Sequence, residues 1–226
     1  NTWNTVVDDI YILHQRLKQR YPDVPLCIMG HSMGSFLTRT YLIRYPGTVK
    51  AAVIMGTGWQ PRAAITGGLA NAIAAVSGEN ATSELVTELA FGSYNKLFAP
   101  NRTKVDWLSA DESNVDDYIA DPLCGADATV GLFRQMLHGI RFNQRQSHLR
   151  QMDREMPVLF VAGDKDPVGN CGKGVRQTYD AFRAAGMRDC TLKLYPGLRH
   201  EILNEKAYTA DITKNIEAWL LSRLEK

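Results

Sequence analysis

The sequence predicts an α/β protein, a mostly parallel sheet flanked by helices and interrupted by a long helical insertion. Three observations predict it. Short, mainly apolar runs at 26–29, 51–55, 158–162 and 191–195 are of the kind found in parallel sheets, whose strands are covered on both faces. Between them lie segments with apolar residues at helical spacing, which gives the strand, helix, strand order of βαβ units. From 59 to about 151 this alternation stops, and the pattern offers helices and loops but no convincing strand.

Each element has its own justification. Val6, Ile10, Leu13 and Leu17 recur at helical spacing, with Asp8 and Asp9 near the start and Lys18 and Arg20 near the end, as the helix dipole favours. Pro22 ends that helix. Leu26-Cys27-Ile28-Met29, bounded by Pro25 and Gly30, reads as a buried strand. After Gly30-His31-Ser32-Met33-Gly34 comes a helix carrying Phe36, Leu37, Tyr41 and Ile43, which stops at Tyr45-Pro46-Gly47 before the strand Ala51 to Met55.

In the insertion, Ala63 to Val76 is rich in Ala and Gly and suggests a loosely packed cap helix, whose continuity Gly67-Gly68 weakens. Leu132, Met136, Leu137 and Ile140 form a second helical set. Alternation resumes with a strand at Val158 to Ala162 and a helix carrying Val175, Tyr179 and Phe182, stopped by Gly186. A strand at Thr191 to Tyr195 and a terminal helix with Tyr208, Ile212, Ile216 and Leu220 complete the chain. The expected organisation is therefore 1–58 and 152–226 as two parts of one α/β core, and 59–151 as an inserted helical cap or lid.

The 226 residues, 45% of them apolar, suffice for one domain with an insertion. Lys and Arg total 26 against 24 acidic residues, a net charge of +2, and neither sign forms the long runs that mark nucleic-acid-binding segments. No nucleic-acid partner is expected. No apolar stretch approaches the roughly 18 residues needed to span a bilayer, and Asp8 and Asp9 depart from a signal-peptide pattern. A soluble, cytoplasmic chain is expected. Cys27, Cys124, Cys171 and Cys190 are scattered without metal-ligand spacing, so they are expected to be free thiols, with Cys27 inside a buried strand.

The chemistry starts at Gly30-His31-Ser32-Met33-Gly34. Gly-x-Ser-x-Gly between a strand and a helix is a nucleophile elbow, a turn so tight that its flanking positions need to be nearly free of side chains. It lifts the Ser32 hydroxyl to a helix N-terminus, where free N–H groups favour developing negative charge, and Met33 N–H becomes an oxyanion donor. The rival reading is an ordinary glycine-rich turn with a capping serine.

A serine needs a base to take its proton, and the base needs a carboxylate, in the chain order Ser, Asp or Glu, His. The loop Gly163-Asp164-Lys165-Asp166-Pro167-Val168 offers two aspartates at the end of a strand, and residues alone leave the choice between them open. The loop Pro196-Gly197-Leu198-Arg199-His200-Glu201 places His200 at the same edge as the natural base.

Other candidates read more plainly. His14, His138 and His148 suit solvated or core-satisfying roles, and His31 points away from the nucleophile, with a lesser reading as a substrate contact. Cys171 reads as structural. Asp111, Glu112, Asp116, Asp117 and Asp121 lack the spacing and glycine of a Ca²⁺ loop and suit a solvated helix start, with a cation-binding cap face as the lesser alternative.

Gly-His-Ser-Met-Gly-Ser, Gly-Asp-Lys-Asp-Pro-Val and Tyr195-Pro-Gly-Leu-Arg-His200-Glu-Ile-Leu-Asn-Glu205 resemble the α/β-hydrolases grouped as monoacylglycerol lipases, lysophospholipases and serine aminopeptidases. The likeness runs over nearly the whole chain. In that family the acid belongs to a Gly-x-x-Asp pattern, which falls on Asp166 and leaves Asp164 as runner-up. Trp107-Leu108-Ser109 and Asp121-Pro122-Leu123-Cys124-Gly125 resemble the family's helical cap. Family members carry strands before the elbow, and a His-Gly loop among them supplies a second oxyanion N–H. This chain starts on the helix before the elbow strand, and His138-Gly139 lies in a helical pattern unsuited to replace that loop. The expectation is an N-terminally incomplete copy of a longer chain.

The resemblance implies a serine hydrolase needing no metal or organic cofactor. His200 deprotonates Ser32, Asp166 orients His200, Met33 N–H holds the oxyanion, and water releases the acyl group. The expected substrate is a small ester with an acyl chain, such as a monoacylglycerol or lysophospholipid. The alternatives are a serine aminopeptidase, with the Asp111 to Asp121 segment holding the substrate amine, and a non-catalytic binder of hydrophobic ligands.

Overall fold

The structure, a computed structural model, describes residues 2–61 and 63–224, without the side chains of residues 64, 65, 84, 85 and 89–91. In chain order it contains α1 Trp3–Arg20, β1 Cys27–His31, α2 Met33–Arg44, β2 Ala51–Met55, α3 Ala63–Ser77 and α4 Glu84–Lys96. A 3-10 turn at Asp106–Leu108 follows, then α5 Glu112–Ala120, α6 Val130–Asn143, α7 Gln146–Leu149, β3 Val158–Gly163, α8 Lys173–Ala184, β4 Cys190–Tyr195 and α9 Thr209–Leu224.

All strand pairs are parallel, in the spatial order β1-β2-β3-β4. His31 pairs with Met55 and Gly163 with Tyr195, so the strands end at a common edge. The loops after them bring Ser32, Gly56, Asp166 and His200 to that edge, where open α/β sheets collect ligands. Along β2 the side chains alternate: Ala52 and Ile54 face a core built with α1, α2, α6 and α8, whereas Val53 and Met55 face Leu198, Ile202, Ile212 and Ile216. The central strands β2 and β3 are buried throughout, as their sequences predict.

The outer elements depart from the sequence reading. Strand β1 is an edge, and Cys27 and Met29 are exposed while Ile28 packs on the core, so the expected burial of Cys27 does not hold. In α1 the buried residues are Trp3 and Val7, with Ile10 and Tyr11 packed behind them, and Val6, Leu13 and Leu17 are exposed. Specific anchors turn the helix. Trp3 Nε1–H donates to Thr40 Oγ1 at 2.9 Å, Tyr11 stacks on Tyr45 at 4.0 Å, and the Tyr45 hydroxyl donates to Asp8 at 2.5 Å. Together they outweigh the aliphatic stripe. Tyr208 is likewise exposed, just ahead of α9.

Between β2 and β3 the described residues form helices and one isolated bridge, Thr82 to Thr129. Helix α3 runs unbroken through Gly67-Gly68, because Gly67 lies close to Leu137 of α6 and contact between the helices offsets its weak propensity. Helix α6 docks on the core rather than standing apart. Asn143 donates to Phe36 O and accepts from Thr40 Oγ1, each at 2.8 Å, and a Cβ at Gly139 would lie 2.0 Å from the Trp3 ring. The four cysteines are free, with Cys124 and Cys171 exposed and Cys190 half-buried. Among the described residues no helix is long and apolar enough to cross a membrane.

Candidate active site

Ser32 sits between β1 and α2 with φ 55° and ψ −121°, a left-handed conformation that costs a non-glycine residue about 1–3 kcal/mol and is retained where the surroundings hold it. Its surroundings do hold it. Ser32 N–H donates to Met55 O at 3.1 Å, and Ser32 O accepts from Ser35 N–H at 2.9 Å and Ser35 Oγ at 2.5 Å. A Cβ at Gly30 would lie 2.2 Å from Gly34 O and 2.4 Å from Thr38 Oγ1, so Gly30 is required for the turn to close. A Cβ at Gly34 would meet nothing within 4 Å, which corrects the reading that both flanking glycines are needed for room. Met33 begins α2, and its N–H belongs to the first turn, which has no acceptor within the helix.

Strand β3 ends in Gly163, where a Cβ would sit 2.1 Å from Leu198 O and 2.3 Å from Arg199 O. The bare glycine lets the aspartate loop touch the histidine loop. Asp166 and His200 are buried, and His200 Nδ1 lies 3.0 and 3.1 Å from the two Asp166 carboxylate oxygens. An ionised carboxylate only accepts, so Nδ1 carries a proton, and in the neutral ring Nε2 is then the nitrogen with the lone pair. Val168 N–H donates to Asp166 Oδ1 at 2.9 Å, and Cys171 N–H to Asp166 O at 2.8 Å. Asp164 faces elsewhere, accepting from Gly197 N–H at 2.8 Å.

His31 does not simply point away. Its Nε2–H donates to His200 O at 3.0 Å, and the two rings lie 4.6 Å apart. Burial, and next His200, push the His31 pKa below its ordinary value. The usual strand alternation misleads here because the chain leaves it at the positive φ of Ser32. Trp107, from the segment between β2 and β3, places its ring 5.1 Å from His200, a contact with no local signal in the sequence.

The histidine loop is clasped to residues 106–117. Arg199 Nη1 donates to Asp106 O at 2.5 Å and Ser109 O at 3.0 Å, and Glu201 N–H to Leu108 O at 2.7 Å. Glu205, 3% exposed, accepts from Ala110 N–H at 2.8 Å and Asp111 N–H at 3.1 Å. The acidic segment is also engaged: Asp111 caps α5, Asp116 pairs with Arg102, and Asp117 with Lys206. His14 stacks near Tyr11, His148 bonds Phe142 O, and His138 is exposed on α6. Among the described residues no group of three His, Cys, Asp or Glu is arranged to hold a metal ion.

Beside Ser32 and Met33 opens a cavity of about 220 Å³. Phe36 and apolar residues of α3 and α6, among them Leu69, Ile73, Leu132 and Met136, form its walls, with Gln60, Thr66 and Tyr94 as further polar groups. Burial, ahead of the nearby Asp166 charge, pushes the Tyr94 phenol up to about 12, so it stays protonated at neutral pH. None of Asp111 to Asp121 lines the cavity. A serine on a strained turn and a helix N-terminus beside an apolar chamber, with an Asp-paired imidazole at the same sheet edge, are the parts that nucleophilic acyl chemistry needs.

A family model described as "Serine aminopeptidase, S33" matches residues 1–207. A monoacylglycerol lipase of Mycolicibacterium smegmatis is 30% identical over 223 residues, which cover 96% of this chain and 70% of that protein. A monoglyceride lipase of Mus musculus is 26% identical over 215 residues, 92% of this chain and 62% of that protein, so the chain spans less than two thirds of the mouse relative. The crystal structure of a thermostable carboxyl esterase from Bacillus coagulans matches with a TM-score of 0.91 at 24% identity, over 98% of this chain and 72% of that chain. By the extent of the family match and the parallel sheet it folds into, the chain belongs to the α/β-hydrolases of the serine aminopeptidase S33 family, the group that includes the monoacylglycerol lipases.

Proposed function

We propose that this chain carries the acyl-enzyme machinery of a serine hydrolase that cleaves carboxylic esters, with Ser32 as nucleophile, His200 as general base and Asp166 as the group that orients the base. The observation that carries the reading is the Asp166–His200 pair, which assigns the Nδ1 proton, so that in the neutral ring Nε2 is the accepting nitrogen, at the sheet edge that also presents Ser32. In the first step Ser32 Oγ attacks the ester carbonyl as its proton passes to His200. Met33 N–H faces the oxyanion. The imidazolium then protonates the departing alcohol, and water, activated by the same histidine, releases the acid from Ser32.

The apolar cavity supports an acyl chain as the group it takes, buried among α3, α4 and α6. Residues 59–151 then act as the cap over that chain. Monoacylglycerols and lysophospholipids are the substrate class proposed, in keeping with the names of the relatives. The aminopeptidase alternative finds less support, because the acidic segment that was to hold an amine is occupied in capping and ion pairs away from the cavity.

A panel of monoacylglycerols and acyl esters against aminoacyl amides tests the reading. Ester turnover that rises with acyl length and is lost in Ser32→Ala is the expected result. Faster turnover of aminoacyl amides would move the assignment to the peptidase, and saturable ligand binding without turnover would move it to a non-catalytic carrier.

A further inference from the structure

We propose that His31 is a positioning residue for the general base: by donating from Nε2 to the main-chain oxygen of His200, it ties the base loop to the strand that carries the nucleophile. The proposal rests on the reading of Ser32 and His200 given above. The other ties of the base loop run elsewhere. Asp166 and Lys165 N–H anchor it to the loop after β3, and Arg199, Glu201 and Glu205 anchor it to residues 106–111. The His31 bond, 3.0 Å long, links it to the end of β1, one residue from Ser32. Ser32 is in turn fixed by its N–H to Met55 O. Nucleophile and base thus share a short chain of contacts, in a reaction where a misplacement of about 1 Å can cost about 10²-fold.

Two further observations give the bond its direction and its space. A carbonyl oxygen only accepts, so the neutral His31 ring holds its proton on Nε2. Gly56, buried and at φ 58°, lies where the two imidazoles converge: a Cβ there would meet His31 Cδ2 and Nε2 at 3.0 Å and His200 Cε1 at 3.1 Å. The missing side chain leaves room for both rings. Burial and His200 lower the His31 pKa, against the opposing effects of its own bond to His200 O and of Asp166 and Glu201. His31 is therefore neutral at pH 7 and adds no second positive charge beside the imidazolium that forms on His200 during attack.

The test compares His31→Gln, His31→Phe and His31→Ala with the parent chain and Ser32→Ala, reading kcat, KM and the thermal midpoint on one short-chain ester. Gln places an amide donor near the position of Nε2, and Phe fills the volume without a donor. The expected result is a fall in kcat of about 10–100-fold for Phe and Ala with KM within about twofold, and recovery to within about fivefold of the parent in Gln. Turnover in His31→Phe equal to the parent, or no better in Gln than in Phe at matched thermal midpoints, would overturn the positioning role. Loss of the parent's own Ser32-dependent turnover would instead overturn the site reading beneath it, and the two failures are distinct because the second appears before any change at His31.

Discussion

Asp166 offers both carboxylate oxygens to His200 Nδ1, at 3.0 and 3.1 Å, while Asp164, two residues earlier in the same loop, accepts from Gly197 N–H. The pairing fixes the His200 tautomer, and the Asp164 bond only secures the turn after β4. Asp166→Asn should lower kcat by about 10⁴-fold by presenting the wrong tautomer for proton transfer. Asp164→Asn should keep turnover within about fivefold, since an amide oxygen still accepts one N–H bond. Steady-state kinetics on the two variants check the assignment.

The elbow makes a prediction about folding. Gly30→Ala forces a Cβ to 2.2 Å from Gly34 O, and backbone has little freedom to yield, so a loss of about 3 kcal/mol or more is expected. Gly34→Ala meets open space inside α2 and should gain up to about 1 kcal/mol of helix propensity. Denaturant unfolding of the two variants measures the contrast.

Glu205 closes the clasp between the histidine loop and residues 106–111. Glu205→Ala leaves the Ala110 N–H group without its acceptor, while Asp111 N–H keeps Ser109 Oγ, and should cost about 1–3 kcal/mol. Glu205→Gln, which retains one acceptor oxygen, should lose roughly half as much. Equal stability of Ala and Gln in urea unfolding would show that the clasp does not hold the loop.

Stability should also respond to pH through His31, whose folded pKa lies below the ordinary 6.5, first through burial and then through His200. Well above pH 6.5 the ring is neutral in folded and unfolded chains alike, and its contribution is constant. As pH falls below 6.5 the unfolded chain takes up a proton that the folded chain resists, so stability drops by up to about 1.4 kcal/mol per pH unit until the folded pKa is reached. His14, also lowered by burial and then by Lys18, acts in the same direction. His31→Gln should therefore flatten the decline between pH 6.5 and 5 in part, as read from urea midpoints.

What the sequence made legible follows from where covering material comes from. Strands β2 and β3 are buried on both faces, so their apolar runs are enough to locate them. The face of α1 and the exposure of β1 depend on partners. Trp3 reaches Thr40, and Cys27 and Met29 lie at an edge, neither of which spacing within the element reveals. Motif and chain order point to Ser32 and His200 as candidates, and the family resemblance points to Asp166, whereas from the residues alone Asp164 and Asp166 differ only in what they face. Trp107, Glu205 and the His31 bond join segments 93 to 169 residues apart in sequence, and no local pattern announces them.

The most direct test of an activated Ser32 is intact-mass spectrometry during reaction with a fluorophosphonate probe. A single adduct is expected that maps to Ser32, disappears in Ser32→Ala and forms at least about 10³-fold more slowly in His200→Ala. An unlabelled parent chain, or an adduct that survives Ser32→Ala, would contradict it.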